Sequence, residues 1–96
     1  RMGHADVIET SILLATHAEL VRMDLARADG YRDQLSGAVF STRGIPERTA
    51  GGGVGDPTGA TAEFGLACVD AAVVATLAMI RRLAGDPTAD LEAARR

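Results

Sequence analysis

The sequence predicts a mostly helical chain that packs as one part of a larger body. Two segments carry apolar residues at helical spacing behind a capping residue, about Asp6 to Thr16 or His17 and about Thr58 to Ala84. The second is apolar around most of its circumference, which is the pattern of a buried helix. The usual reinforcements of a small autonomous domain are missing: one cysteine excludes an internal disulfide, and Tyr31, Phe40 and Phe64 are the only aromatic residues. Much of the apolar content is alanine, which buries little area per residue. Such a chain leans on another segment, another chain or a copy of itself.

Each element has a local reason. Asp6 caps the first helix, and Glu9 three residues on completes a capping-box pattern. Val7, Ile8, Ser11, Ile12, Leu14 and Ala15 form its apolar-to-small face; Asp6, Glu9, Thr10, Thr16 and His17 lie mostly opposite. Ala18 to Val21 makes a short extra turn. From Arg22 to Gly37 the pattern loosens, with Gly30 as a breaker. Ala38-Val39-Phe40-Ser41 reads as a short strand. Gly44 to Thr58 is loop-like, with Pro46, Gly51-Gly52-Gly53 and Gly55-Asp56-Pro57-Thr58. Asp56 or Thr58 caps the long helix, and Pro57 suits its first position. Phe64, Ala67, Ala71, Val74, Ala75 and Ala78 form one stripe; Leu66, Val69, Val73, Leu77 and Ile80 form another. Gly85-Asp86-Pro87 ends it, and 85–96 is a charged tail. Gly-Asp-Pro-Thr recurs at 55–58 and 85–88, but its flanks differ, so it is punctuation rather than a structural repeat.

Composition excludes several functions. The net charge is −3 and every cation is arginine, so no basic stripe is available for nucleic acid or an anionic membrane surface. No apolar run is expected to reach bilayer-spanning length. Asp6 and Glu9 interrupt what would be the apolar part of a signal peptide. The expected setting is soluble and cytoplasmic. The chain begins with Arg1; Met2 is a start only if Arg1 is a remnant, and cleavage explains Arg1 equally simply.

Candidate chemistry concentrates at the beginning. His4 can exchange a proton near neutral pH, and a carboxylate against its other nitrogen fixes the tautomer and favours the charged form. Glu9 is five residues on. On one helix the two would point about 140° apart, so they meet only if His4 lies in the leading loop and folds back. The alternative makes His4 an ordinary loop residue and Glu9 only the capping partner of Asp6. The glycine loop at 51–59 lacks the lysine of a P-loop and the frame of a dinucleotide fingerprint. It reads as a turn, with anion binding at a helix N-terminus as the alternative. His17 reads as solvated and Cys68 as a small buried hydrophobe. No His-x-x-x-His, Cys-x-x-Cys or close Asp/His cluster is present. Any metal must therefore be held mainly by residues from elsewhere.

Taken together, Gly3-His4-Ala5, Glu9-Thr10-Ser11, Leu13-Leu14-Ala15 and Ala18-Glu19-Leu20-Val21 resemble the C-terminal third of the creatininase family. Gly55-Asp56-Pro57, Ala60-Thr61-Ala62-Glu63 and Gly65 resemble its second C-terminal motif. The resemblance covers about Gly3 to Ala84. It implies an α/β fold, a mainly parallel sheet flanked by helices, of which residues 1–96 supply a mostly helical C-terminal part (core 3–84). It implies an oligomer, often a hexamer, that hydrolyses non-peptide C–N bonds of linear or cyclic amides with two divalent metals such as zinc or manganese. His4 matches the family's catalytic histidine and Glu9 its associated glutamate. The family's metal ligands stand in Glu-x-His and Asn-Gly-His-type motifs of its N-terminal portion, and none is present here. Residues 46–53 look like an elongated loop, and Ala18 stands where relatives often have proline.

The expected function is therefore a C-terminal fragment or subunit of a metal-dependent amidohydrolase acting on a small amide. By resemblance, a hydroxide bridging the two metals attacks the carbonyl carbon. His4 passes a proton to the leaving nitrogen and Glu9 orients it. Gly53, Gly55 and Asp56 are expected to border the pocket. The metals, zinc or manganese, are expected on an N-terminal portion or companion chain. The competing expectation is a non-catalytic helical piece whose long helix docks into an assembly.

Overall fold

A computed structural model describes residues 3–29 and 49–86. The expected strand at 38–41, residues 44–48 of the expected loop, and the tail beyond Asp86 lie outside the described residues. So do Arg1, Met2 and residues 30–37 of the loosened stretch.

Helix α1 runs Val7–Thr16, close to its expected bounds. Asp6 is its N-cap and forms a complete capping box with Glu9: the Asp6 carboxylate takes the N3 amide, and Glu9 Oε2 accepts the Asp6 N–H at 3.0 Å. His17 ends the helix, its N–H donating to the Leu13 carbonyl at 2.7 Å. The expected extra turn is a single 3-10 turn at Ala18–Leu20. A second one, Met23–Leu25, carries the chain on towards Asp29.

Helix α2 runs Ala62–Leu83 and starts later than the sequence suggests. Asp56 caps a separate 3-10 turn, Pro57–Gly59, by accepting the Thr58 N–H at 3.0 Å. The chain is extended again at Ala60 and Thr61, and Thr61 is the true N-cap, its Oγ1 accepting the Phe64 N–H at 3.1 Å. The reason is a tertiary contact: the Thr61 N–H donates to Ser11 Oγ at 3.1 Å, which fixes the start of α2 against α1. Glu63 in the first turn and Arg81 and Arg82 in the last complement the helix dipole.

The two helices cross at Ser11 and Gly65. Ser11 is fully buried and Gly65 is buried. A Cβ on Gly65 would stand 1.9 Å from the Ser11 carbonyl oxygen, so only glycine permits this approach. Beyond the crossing the helices frame an apolar groove of about 350 Å³, lined by Ile12, Cys68, Val69, Ala72, Val73, Thr76 and Leu77. Cys68 is half-buried on its wall rather than buried.

Among the described residues, Val54 is the only buried hydrophobic side chain. Leu66, Val73, Val74, Leu77, Met79, Ile80 and Leu83 of α2 are all exposed. The expectation of a helix buried on most sides is thus not met by the described residues alone. A second expectation needs correcting. By length and composition, Ala62–Leu83 is apolar enough to cross a membrane, although helices of this kind also form the cores of soluble proteins. Counting uninterrupted apolar residues stops at Asp70, whereas average hydropathy tolerates one charge.

The described residues are mostly helical, as expected. Their β-structure consists of two isolated antiparallel bridges, His4 with Val54 and Asp29 with Gly55. These bridges bring the leading loop, the segment after Leu25 and the glycine loop together beside the N-terminus of α1.

Candidate active site at the head of helix α1

His4 is held through its backbone. Its N–H donates to the Val54 carbonyl at 2.9 Å, and its carbonyl accepts the Val54 N–H at 2.7 Å. Ala5 then adopts a left-handed conformation, φ 51°, the only non-glycine residue with positive φ among those described. That turn lets the chain leave the bridge at His4 and enter the cap at Asp6 within two residues. Left-handed backbone at alanine costs roughly 1–2 kcal/mol, and such strain concentrates at functional sites. The His4 side chain is exposed.

Asp6 was expected on the polar side of α1; instead it is 8 % exposed. Burial is tolerated because the carboxylate is saturated with donors. Oδ1 accepts the Val7 N–H at 2.7 Å and the Asp56 N–H at 2.8 Å, and Oδ2 accepts the Gly3 N–H at 3.1 Å. The Val7 amide, then those of Asp56 and Gly3, hold the Asp6 carboxyl below its ordinary range, against the opposing effects of burial and the neighbouring Asp56 charge. Gly55 makes room for it. Its φ of 145° favours glycine, and a Cβ there would fall 2.3 Å from the Asp6 carboxyl carbon.

Glu9 is exposed and spends Oε2 on the capping box. No hydrogen bond joins it to His4 among the described residues. The arrangement brings His4, Asp6, Val54, Gly55 and Asp56 together and leaves Glu9 one helical turn into α1. Gly53 lies beside the His4 loop, where a Cβ would sit 3.8 Å from the carbonyls of His4 and Ala5. Asp56 is exposed, and its carboxyl is held low by the Thr58 hydroxyl and then the Thr58 amide.

The glycine run does not form an anion cradle. The Gly51 N–H donates to Asp29 Oδ2 at 2.7 Å, and the Gly52 N–H to Thr49 Oγ1 at 3.0 Å. Thr49, itself buried, donates its hydroxyl to the same Asp29 oxygen at 2.6 Å. A carboxylate already occupies the place an anion would take. His17 is exposed, as expected.

Sequence reasoning missed Asp6 as a tertiary residue. Its capping role was legible, but its partner Asp56 stands fifty positions on, and nothing local announces that contact.

A family model described as creatinine amidohydrolase matches residues 1–80. The chain belongs to the creatininase family. Membership gives it an amidohydrolase-like character, that of a hydrolase acting on amide bonds. No curated protein and no solved structure matches the chain significantly. Creatininase-family proteins are generally metal-dependent, yet the described residues contain no group of three His, Cys, Asp or Glu side chains able to hold a metal ion. The described residues therefore do not by themselves fit the role of a metal cage.

Proposed function

We propose that this chain supplies the proton-transfer side of an amide-hydrolysing site, with His4 delivering a proton to the leaving nitrogen of a linear or cyclic amide. The observation that carries the reading is the His4 loop itself. A histidine is clamped by two backbone hydrogen bonds, followed by a strained alanine and set at the head of α1 with its ring exposed. Pre-positioning of a proton donor on a rigid, slightly strained loop lowers the cost of reaching the reactive geometry. Glu9 is the residue that orients the His4 ring. Its Oε1 takes no hydrogen bond among the described residues, and its Oε2 is anchored on Asp6. Gly53, Gly55 and Asp56 border the substrate.

The complete site belongs to a larger α/β body. Divalent metal ions, zinc or manganese, are held by residues beyond those described, on an N-terminal portion of the same protein or a companion chain. The whole is a homo-oligomer. Support for a covering partner comes from α2, on which Leu66, Val73, Val74, Leu77, Met79, Ile80 and Leu83 are exposed. The same surface supports a second reading, a non-catalytic helical subunit that only docks into an assembly.

Amidase turnover of the complete, metal-loaded assembly separates the two. His4→Ala is expected to lower turnover about a hundredfold or more. Unchanged turnover removes His4 from the chemistry, and an assembly without metal or amidase activity favours the docking subunit.

A further inference from the structure

We infer that Asp6 is the positioning residue for His4: its carboxylate fastens the His4 loop to the Val54–Asp56 segment and so fixes where the imidazole stands. The inference rests on the reading of His4 as proton shuttle, and the geometry behind it is independent of that reading.

Three segments converge on this one carboxylate. Gly3, immediately before His4, donates its N–H to Oδ2; Val7, at the start of α1, and Asp56, two residues past the partner of His4, donate theirs to Oδ1. The bridge on His4 itself consists of only two backbone hydrogen bonds, both to Val54. An isolated bridge of this size has little cooperative support of its own. The carboxylate ties the two sides of the bridge together at one end, through Gly3 before His4 and Asp56 after Val54.

Packing repeats the same account. A Cβ on Gly3 would stand 1.8 Å from the Val54 carbonyl oxygen and 2.7 Å from Asp6 Oδ2, and a Cβ on Gly55 would strike the Asp6 carboxyl group. Both glycines leave the space that the carboxylate and the bridge fill. A residue needed only to cap α1 would require the Val7 and N3 amides alone. The bonds to Gly3 and Asp56 have no part in the helix.

Asp6→Ser separates the two duties, because serine caps a helix well but is too short to keep all the other partners. The readout is amide hydrogen exchange on the full chain, with turnover of the complete assembly beside it. In Asp6→Ser the amides of His4 and Val54 are expected to exchange at least about tenfold faster, while those of Leu13 to Thr16 keep their rates. Asp6→Asn retains one oxygen for Val7 and Asp56 and should recover most of that protection. In the assembly, Asp6→Ser should lower kcat roughly tenfold with KM little changed, the signature of a displaced proton donor rather than lost substrate binding. Wild-type exchange at His4 and Val54 in Asp6→Ser overturns the inference. So does equal acceleration throughout α1, which would make Asp6 a helix cap and no more. Failure of the underlying reading looks different: His4→Ala then retains full turnover. If only the Asp6 inference fails, His4→Ala is inactive and Asp6→Ser is as active as wild type.

Discussion

The amide of Asp56 donates to the carboxylate of Asp6 at 2.8 Å, joining residues fifty positions apart in the chain. Through that bond the head of α1 and the segment leading to α2 become one structural unit. Removing the carboxylate leaves the Gly3, Val7 and Asp56 amides without their acceptor in a largely buried setting. Asp6→Ala should therefore cost more than an ordinary N-cap, about 2–3 kcal/mol. Chemical denaturation of the chain followed by circular dichroism measures it; a loss under about 0.5 kcal/mol would show that water replaces the carboxylate without penalty.

The same carboxylate sets a pH dependence. Its folded value lies below the ordinary 3.8, because three amides favour the charged form. The unfolded chain then binds the proton more readily than the folded one, so stability is fully present above about pH 4 and falls as pH drops through the lowered value. Denaturation midpoints should be flat from about pH 7 to 5 and decline below about pH 4, with a shallower decline in Asp6→Asn. Equal acid sensitivity in both proteins would assign the effect to other carboxylates.

Gly65 and Gly59 make opposite predictions for the same substitution. Alanine favours a helix interior over glycine by about 1 kcal/mol. At Gly65, however, the new Cβ would stand 1.9 Å from the Ser11 carbonyl oxygen and 2.4 Å from its carbon. Both are backbone atoms and cannot rotate aside, so α1 and α2 must separate. Gly65→Ala should lose roughly 2–3 kcal/mol net of the helix preference. Gly59 has nothing within 4 Å of a new Cβ, and Gly59→Ala should be neutral or stabilising by a few tenths. Thermal unfolding of the two variants side by side checks the pair.

What could be read from the sequence was local. Asp6 and Glu9 stand three apart, and the capping box forms as that spacing dictates. The apolar face of α1 identifies Ser11 as core, where it is fully buried. The misplacements share one cause, contacts made far along the chain. Asp56 and Pro57 are good start signals for a helix, and they start only a 3-10 turn, because Thr61 is claimed by Ser11. The bridge between His4 and Val54 involves a single residue on each side, too short for any alternation of apolar and polar positions to reveal. The family motif marked His4 and Glu9, yet the position between them that binds both halves of the site is Asp6.

Glu9 carries two duties that one substitution can separate. As capping partner it needs only an acceptor for the Asp6 N–H, which Oε2 provides at 3.0 Å. Glutamine offers the same acceptor and is equally at home in a capping box. As the group that orients a proton-shuttling His4 it needs a charge, since a carboxylate stabilises the imidazolium and an amide does not. Glu9→Gln should therefore keep the stability of the chain to within about 0.5 kcal/mol. In the complete assembly it should lower kcat by roughly tenfold or more. Glu9→Ala should lose both stability and turnover. A Glu9→Gln assembly with the kcat of the wild type would confine Glu9 to the capping box that its geometry already displays.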